Sequence, residues 1–503
     1  MLRLSAFVAV LAASPLCAQP VPPDSSAAFA EIMDAFVSET LDDLGVVPGL
    51  ALAVVRGDEI VYLRGFGDAD REAGVAVTPR TPFYIASATK PFTALATVLL
   101  DRQGALDLDA SLQSLFPDVA FPNELRADAV TVRHLLSHTH GLENGPLGFR
   151  AAFTGEHTPE TMRALLALSE PNSGAPLGAF DYTNVGYNIL SLRLDELPGG
   201  PWQALLDALL FEPLGMERTT AWSSEAARWA PARPYHPFGD DGPARIYLEK
   251  TDATMQAAGG MYASAHDLAR WLLVHLNEGR LDGEQVVPAD AIAEVHRPVG
   301  ETDGRFGPFE RAGYGLGWYT GSYDSERMLH HFGGFAGSHA HTSFLPERGL
   351  GVVVLANESF AGGRLVPLLA SFAYDWWRGQ PDVLSVYVPQ RDALVAGAQR
   401  AREGVQAEAA ERARRKWTLS QPFEDYAGTY VSPSYGTLRV TVGGEAPVLR
   451  LGNLWAEATP FTEPETMRVT FVPPGGEVVA FELDGDGRPV RARYDDAVFE
   501  RVD

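Results

Sequence analysis

The sequence predicts an α+β fold in which helices and β-hairpins precede a small all-β unit at the carboxyl end. After the first 25 residues, apolar positions recur at helical spacing up to Gly45, and two apolar runs at 50–55 and 60–66 then flank a polar turn. This order indicates a helix followed by a β-hairpin. From residue 423 onward, short alternating segments separated by Gly and Pro turns indicate a small antiparallel barrel or sandwich.

Length and charge limit the classes of function. The 503 residues exceed one average domain, and a hydrophobic content of 46% can fill at least one large core. The formal net charge of -25 argues against a surface for nucleic acid or for an anionic membrane, since both are negatively charged themselves. We therefore expect a small-molecule or short-peptide substrate, no nucleic acid and no membrane span, and we leave the oligomeric state open.

Residues 1–18 have the pattern of a secretory signal peptide. Arg3 gives a charged start, an apolar stretch follows at 4–13, and Ala18 ends a tolerable cleavage site. The apolar stretch is too short to span a membrane. Cys17, the single cysteine, lies inside this segment, so the mature chain has no thiol for a nucleophile, a disulfide or a metal site. We predict a secreted or periplasmic protein.

The segment around Ser87 places a hydroxyl and an amine three residues apart at the start of a predicted helix. Residues at this spacing share a helix face, so the Lys90 amine would lie within reach of the Ser87 hydroxyl. A serine needs a neighbouring base to become a nucleophile, and a partly buried lysine with a lowered pKa can be that base, whereas arginine cannot. Lysine occurs only at positions 90, 250 and 416, and only Lys90 follows a serine at this spacing. Pro91 fits if Ser87 lies in the first helical turn.

Two histidine-rich stretches raise the alternative of a metal site. His134 and His138 are four residues apart, but no glutamate follows His134 as it does in a zinc-binding H-E-x-x-H motif. Alternation along a strand sends His339 and His341 to one face, again without an acidic residue near them. We therefore predict no metal and no other cofactor, and we interpret these histidines as hydrogen-bonded side chains.

Glycines at 333, 334 and 337 indicate a strand edge where backbone N–H groups come close to a ligand. A donor there could complete an oxyanion hole with the N–H of Ser87. Tyr182 and Asn184 taken alone have ordinary explanations, as a core aromatic and a helix cap.

Three segments then stand in the order and rough spacing of one family. They are Ser87-Ala88-Thr89-Lys90, Tyr182-Thr183-Asn184 and His331-Phe332-Gly333. Together they resemble the serine β-lactamase and penicillin-binding-protein superfamily, above all its class C-like branch, which includes D-amino-acid peptidases and esterases. The resemblance extends over about residues 30–375, with supporting matches at 135–142, 213–216 and 259–262.

The resemblance implies the catalytic residues. Ser87 would be the acylated nucleophile and Lys90 its proton acceptor, while Tyr182 would share the base work and protonate the leaving group. His331 stands where β-lactamases usually carry a lysine, and a histidine there resembles the peptidase and esterase members more than true β-lactamases.

The resemblance also implies how substrate is held. Asn184 would hold the substrate amide or ester, and Gly333 and Gly334 would line the site on the strand. The backbone N–H groups of Ser87 and Gly334 would form the oxyanion hole.

The fold implied by the resemblance is an antiparallel sheet flanked by helices, with a mostly helical lobe and the site in the cleft between them, as in β-lactamases and transpeptidases. The tail resembles the β-barrel domains appended to some members. We predict a signal peptide at 1–18, a catalytic domain at 19–380, a helical linker at 381–422 and a C-terminal antiparallel β-barrel at 423–503.

The leading hypothesis is a secreted serine hydrolase that forms an acyl-enzyme on Ser87 with a small ester or a D-amino-acid-containing peptide or amide. β-Lactam hydrolysis ranks third among the substrates because of His331. A non-catalytic receptor of the same fold, which would trap a penicillin or a peptide, is one alternative. A histidine-based metallohydrolase is the other.

Overall fold

The computed structural model describes residues 25–239 and 242–503. The predicted signal peptide and Cys17 lie outside the described residues. Among the residues described, no helix combines the length and apolar character needed to cross a membrane.

An antiparallel sheet of ten strands forms the centre of the catalytic part within the described residues. Its spatial order is β4-β6-β7-β8-β9-β10-β1-β2-β3, and β5 pairs with β6. The strands are β1 (Gly49–Arg56), β2 (Glu59–Asp70), β3 (Val75–Ala76), β4 (Gly300–Glu301), β5 (Arg305–Phe306), β6 (Phe309–Tyr314), β7 (Tyr319–Tyr323), β8 (Glu326–Phe335), β9 (Ser338–Leu345) and β10 (Leu350–Ala356).

Helices cover both faces of this sheet and build the lobe beside it. The longer ones are α1 (Ser25–Leu44), α2 (Lys90–Arg102), α3 (Pro159–Leu166), α4 (Val185–Leu194), α5 (Ala265–Leu276), α6 (Ala289–His296), α7 (Gly362–Trp377) and α8 (Val383–Arg412). Short helices of three to five residues are Leu112–Leu115, Val132–Leu136, Gly145–Phe149, Trp202–Leu206, Glu212–Leu214, Ser223–Ala226 and Phe423–Tyr426. Minor two-stranded ladders pair Phe83–Tyr84 with Tyr262–Ala263, Leu142–Glu143 with Glu170–Pro171, Tyr235–Gly239 with Gly242–Arg245, and Arg280–Leu281 with Glu284–Gln285.

The central strand β1 shows why the sheet is covered on both sides. Its side chains alternate between two cores, as the period of two in a strand requires. Leu50 and Leu52 join the core that contains α1 and α7, whereas Ala51 and Ala53 join the core that contains α2 and α5. The small alanines let α5 lie directly on β1 and β10. A strand buried on both faces is nearly all apolar, which is why 50–55 reads as one continuous run.

The carboxyl-terminal part is a nearly closed, barrel-like sheet of nine strands within the described residues. Their spatial order is β14-β13-β12-β11-β19-β18-β17-β16-β15. They are β11 (Gly428–Ser432), β12 (Gly436–Val442), β13 (Pro447–Leu451), β14 (Leu454–Glu457), β15 (Thr459–Pro460), β16 (Thr466–Val469), β17 (Glu477–Leu483), β18 (Pro489–Tyr494) and β19 (Ala497–Arg501). The predicted α+β class with a C-terminal β-unit is confirmed. The domain boundaries at 380 and 422 stay predictions.

The barrel packs directly against the catalytic part. Its apolar core includes Ala336, from the turn between β8 and β9, and Phe335 and Phe153 pack against that core. The Arg150 guanidinium donates to the carbonyl oxygens of Pro433 and Ser434, at 2.8 and 2.6 Å. The two parts therefore share a continuous apolar interface with specific polar anchors.

Candidate active site

Ser87 lies in a tight turn that leads into α2. Ala86–Thr89 form a 3-10 turn, and Ala86 has left-handed backbone with φ of 45°, which costs a residue with a β-carbon about 1 kcal/mol. The backbone N–H of Lys90 donates to the Ser87 carbonyl, so the turn runs directly into the helix. Pro91 lies in the first turn of α2, where no N–H is needed, in agreement with the sequence analysis. The half-buried Ser87 side chain thus stands at the amino end of a buried helix.

The amine of Lys90 is fully buried among three oxygen atoms. Its Nζ lies 3.1 Å from Ser87 Oγ, 2.8 Å from Asn184 Oδ1 and 2.7 Å from the carbonyl oxygen of Ala258. Burial lowers the pKa of Lys90 well below its ordinary value. The amide and carbonyl oxygens can only accept, so a neutral Lys90 amine can donate both N–H groups to them and turn its lone pair toward the Ser87 hydroxyl. This arrangement suits a proton acceptor.

Tyr182 lies beside Lys90 in the loop before α4. The Lys90 Nζ stands 4.8 Å from the centre of the Tyr182 ring, and the ring stacks on Tyr319 at 5.8 Å. Its buried hydroxyl makes no hydrogen bond within the described residues. Burial raises the pKa of the Tyr182 phenol, while the neighbouring Ser87 hydroxyl acts in the opposite direction. The phenol is therefore neutral at ordinary pH and available as a proton donor.

Two histidines of the 134–140 stretch hold the Tyr182 loop. The His138 carbonyl accepts from the N–H of Asp181 at 2.8 Å, and its ring Nδ1 accepts from the N–H of Thr183 at 3.4 Å. His140 Nε2 lies 3.4 Å from Thr183 Oγ1, and its Nδ1 accepts from a backbone N–H, so Nε2 carries the proton. His138 is also a left-handed residue, with φ of 59°. These contacts fix the backbone on both sides of Tyr182.

His331 is buried behind the site with both ring nitrogens engaged. Its Nδ1 lies 2.7 Å from the carbonyl oxygen of Phe332 and must donate, which leaves Nε2 to accept from the Tyr314 hydroxyl at 3.1 Å. Burial lowers the pKa of His331 well below 6.5, with the charge of nearby Lys90 acting in the same direction. The imidazole is therefore neutral. It forms no hydrogen bond to Ser87, Lys90 or Tyr182 among the residues that the structure describes.

The strand edge of β8 lies directly against the Ser87 turn. A β-carbon on Gly333 would collide with the carbonyl oxygen of Ile85 and would lie 3.0 Å from the backbone nitrogen of Ala88. Gly334, next along the strand, is exposed. The pairing of β8 with β7 ends at His330, which lies opposite Tyr319, the first residue of β7. Residues 331–335 pair with β9 on one edge. Their other edge has no strand partner in the described chain. This open edge beside Ser87 can receive a ligand.

Comparisons with known proteins identify the family of the chain. The family model described as Beta-lactamase matches residues 33–368. The chain belongs to the β-lactamase family. It is 30% identical to esterase EstB of Burkholderia gladioli over 67% of this chain and 92% of that protein. It is 28% identical to penicillin-binding protein 4 of Amycolatopsis lactamdurans over 63% of this chain and 82% of that protein.

The solved structure of the octameric penicillin-binding protein homologue from Pyrococcus abyssi shares the β-lactamase-family fold. The two chains have a TM-score of 0.59 at 22% identity, covering 93% of this chain and 99% of the other. A match of this extent includes the carboxyl-terminal sheet. At this identity the likeness speaks for the fold alone.

Most of the predicted site residues of this β-lactamase-family chain come together. Ser87, Lys90 and Asn184 are joined by hydrogen-bonding distances, and Tyr182 lies against them. Asn184 begins α4 without capping it, because its side-chain oxygen accepts from Lys90 instead. His331 is the exception, because its ring is hydrogen-bonded to the Tyr314 hydroxyl and not to Ser87, Lys90 or Tyr182 among the described residues.

Three residues near the site were not predicted from the sequence; they are Arg311, Tyr314 and Tyr319. The Arg311 guanidinium lies 3.7 Å above the ring of Tyr319, which in turn stacks on Tyr182. Arg311 is half-buried, and burial lowers its pKa. Tyr314 holds His331. In the sequence, these residues stand only in the strand segments just before 331. Core residues stand there too, so their position does not identify them as site residues.

The histidines considered above as metal ligands form separate hydrogen bonds within the fold. His134 Nδ1 accepts from the backbone N–H of Thr131 at 3.1 Å and so caps its own short helix. His341 Nε2 lies 2.7 Å from Ser343 Oγ, whose hydroxyl meets Tyr374 of α7. Among residues 25–239 and 242–503, no cluster of three or more His, Cys, Asp or Glu is arranged to hold a metal.

Proposed function

We propose that this β-lactamase-family chain is a serine hydrolase that forms an acyl-enzyme on Ser87. The observation that carries the proposal is the 3.1 Å distance between the Lys90 amine and the Ser87 hydroxyl oxygen. Ser87 Oγ attacks the substrate carbonyl carbon while its proton passes to the neutral amine of Lys90. An amine with a lowered pKa accepts that proton and can release it again in the next step.

The developing oxyanion has two candidate donors. The backbone N–H of Ser87 lies at the amino end of α2, where the helix dipole favours negative charge. The second candidate is the N–H of Gly334, which follows Gly333 in the part of β8 that has no strand partner on its other edge in the described chain. The close approach of Gly333 to the Ser87 turn supports this assignment, because it brings the two backbone segments together.

Tyr182 is the candidate proton donor to the leaving group. As the tetrahedral intermediate collapses, the bond to the leaving oxygen or nitrogen breaks and that atom takes a proton from the Tyr182 hydroxyl. Lys90 then returns a proton to Tyr182, and a water molecule hydrolyses the acyl-enzyme by the reverse steps. Two observations support this role. The Tyr182 hydroxyl has no hydrogen-bond partner among the described residues, and Lys90 Nζ lies 4.8 Å from the centre of its ring.

We infer a small ester or a D-amino-acid-containing peptide or amide as substrate. His331 is neutral and turned toward Tyr314, so the position that carries a lysine in β-lactamases offers no positive charge to a substrate carboxylate. This favours substrates without a carboxylate at that point and places β-lactams third. The relatives are an esterase and a penicillin-binding protein, which fits the same range.

The test is reaction with a fluorophosphonate, followed by intact mass and peptide mapping, together with hydrolysis of an activated ester. We expect one adduct on the Ser87 peptide, and none in the Ser87→Ala variant. Lys90→Met is the matched variant for the base. Methionine fills the space without a basic group, so we expect activity to fall about 100- to 10,000-fold while the fold persists. Full ester hydrolysis by Ser87→Ala would overturn the mechanism.

A non-catalytic receptor of the same fold is the second candidate, because it needs the same Ser87 geometry. Intact mass over time separates the two after addition of a β-lactam or an activated ester. A receptor retains a stoichiometric adduct for hours, whereas an enzyme loses the adduct as product appears.

We also propose that the protein is secreted or periplasmic after removal of residues 1–18. The proposal rests on the charged start and apolar stretch of that segment. Mass spectrometry of the protein recovered from its native cells tests it. A chain that still begins at Met1 would overturn it.

A further inference from the structure

A buried amine lies where three parts of the molecule meet. Lys250 is 8% exposed, and its Nζ donates to the carbonyl oxygen of Ala152 at 2.5 Å. The same Nζ stands 3.8 Å from the centre of the Phe335 ring and 5.7 Å from the centres of the Tyr84 and Phe153 rings. An amine above the face of an aromatic ring is attracted by the negative charge of that face. We call these three rings the Lys250 cage.

One wall of the Lys250 cage is continuous with the end of β8. Phe335 is the last residue of β8 and directly follows Gly334. Residues 331–335 pair with a strand on one edge only in the described chain, so the hydrogen bonds of a second ladder do not hold this end. The contacts of the Phe335 side chain therefore help to fix the backbone that carries Gly334.

A second wall of the Lys250 cage leads to Ser87. Tyr84 lies three residues before Ser87, and its ring meets the Phe335 ring at 5.7 Å. The Tyr84 hydroxyl donates to the carbonyl oxygen of Gly259. Gly259 lies against the Ser87 turn, since a β-carbon there would stand 3.4 Å from the backbone nitrogen of Ser87. The cage thus touches the segments that carry both proposed oxyanion donors, the N–H groups of Ser87 and Gly334.

The third side of the Lys250 cage belongs to the interface with the barrel. Leu248, two residues before Lys250, is a member of the apolar core of the barrel, and Phe153 packs against that core. The carbonyl oxygen of Thr154 accepts from the N–H of Asn453 in the barrel at 3.0 Å. Docking of the barrel therefore fixes both the segment that carries Lys250 and the turn that carries Phe153.

We propose that Lys250 is a positioning residue for acyl transfer, which holds the Ser87 turn and the end of β8 at the separation that the oxyanion hole requires. It acts through Tyr84 and Phe335, since it makes no hydrogen bond to Ser87 or to Lys90 in the described chain. The docked barrel is thereby part of the structure that keeps the site active. The inference rests on the proposed function, from which it takes the acyl-enzyme and the two oxyanion donors.

The Lys250→Met variant tests the proposal, because methionine fills the space without an amine. Hydrolysis of an activated ester is measured, and active sites are counted by fluorophosphonate labelling of Ser87 carried to completion. Counting the sites separates a slower reaction from a loss of folded protein. We expect kcat per labelled site to fall about 10- to 100-fold, since a misplacement of about 1 Å near the reacting atoms can cost about 100-fold. KM should stay close to that of the parent, because oxyanion donors act on the transition state.

Two controls distinguish positioning from a general loss of stability or charge. Leu394→Ala removes a buried contact of α8 with the core that contains α1 and α7, far along the chain from the Lys250 cage. Lys416→Met removes an exposed lysine. Both variants should keep the kcat per labelled site of the parent, although the first one is less stable.

The Phe335→Leu variant tests the route by which Lys250 acts. It removes the ring beneath the amine and should itself lower kcat per labelled site, which keeps the proposal testable if Lys250→Met does not fold. If Lys250 acts through Phe335, the double variant loses little more than the more impaired single variant, whereas independent effects multiply.

The outcomes that overturn the inference differ from those that overturn the proposed function. Effects of Lys250→Met and Phe335→Leu that multiply overturn the inference alone. So does an unchanged kcat in Lys250→Met, when the parent is labelled on Ser87 and active. A parent that takes no fluorophosphonate on Ser87 overturns the proposed function, and the inference with it.

Discussion

The backbone of Gly333 packs so closely on Ile85 that a β-carbon at 333 would overlap the Ile85 carbonyl oxygen. Gly333→Ala must therefore push β8 away from the Ser87 turn and separate the two proposed oxyanion donors, the N–H groups of Ser87 and Gly334. Losing one such donor costs about 100- to 1,000-fold in kcat, and we expect a loss of at least that size on an activated ester. Gly404→Ala, in α8 with open space around it, is the control. Near-normal kcat in Gly333→Ala would contradict the assignment.

His138 positions Tyr182 through the contacts on either side of the loop. His138→Ala removes the ring contact to Thr183 and also strains the left-handed backbone, since only Gly, Asn and Asp adopt it readily. We expect kcat to fall about 10- to 100-fold. His138→Asn, which tolerates that backbone, should recover part of the loss. Equal kcat in both variants would contradict this role.

Lys250 is a second buried lysine, and its burial makes stability depend on pH in the alkaline range. Its Nζ donates to the Ala152 carbonyl at 2.5 Å and lies 3.8 Å above the Phe335 ring. Burial lowers the pKa of Lys250 to about 7. Between pH 7 and about 10 the unfolded chain holds a proton that the folded chain lacks, so stability rises with pH in that window.

The Lys250→Met variant isolates this contribution. The variant lacks the gain in stability that the parent shows as the pH rises. Its free energy of unfolding should therefore fall, relative to that of the parent, by about 1.4 kcal/mol for each pH unit between pH 7 and 10. Urea denaturation at several pH values measures this. Lys416→Met, at an exposed lysine, is the control for loss of a charge. A constant difference between Lys250→Met and the parent would show that Lys250 is not neutral when folded.

Buried neutral histidines make the protein sensitive to acid. Burial lowers the pKa of His296 and His341 to about 3 and that of His339 and His140 to about 4. The unfolded chain binds these protons near pH 6.5, so stability falls as the pH drops from 6.5 toward 4. Each histidine contributes about 1.4 kcal/mol per pH unit.

Denaturation at pH 7 and pH 5 measures that slope. His339→Met replaces the ring with an apolar side chain of similar size that cannot bind a proton. The slope of unfolding free energy against pH should therefore fall by about 1.4 kcal/mol per pH unit, the contribution of one histidine. A stability that is the same at pH 5 and pH 7 would contradict the neutral burial of these rings.

The sequence predicted local relationships well. Ser87 and Lys90 meet because three residues span one helical turn, and the β1–β2 hairpin is a contact between neighbours in the chain. The family resemblance assigned Asn184 to the same site as Lys90, but the hydrogen bond between them, across 94 residues, was not predicted. Spacing alone cannot give such a contact, because it depends on how two separate helices pack.

The features that could not be predicted from the sequence also depend on how distant segments pack together. Nothing local distinguishes His138, which holds the Tyr182 loop, from a histidine that merely ends a helix. In the barrel, alternation from residue 423 onward predicted a β-unit. It could not give the order of the strands, such as the pairing of β11 with β19, because that order depends on contacts between segments distant in the chain.

The interface between the barrel and the catalytic part has a consequence for the order of events during translation. Phe153 and Phe335 leave the ribosome well before β11 to β19, which complete the apolar cluster against which they pack. At about 5–20 residues per second, synthesis of the last 80 residues takes about 4–16 seconds. During that interval the apolar cluster that covers the two rings in the finished structure is incomplete. We therefore expect chains that end before β11 to aggregate more readily than the full chain.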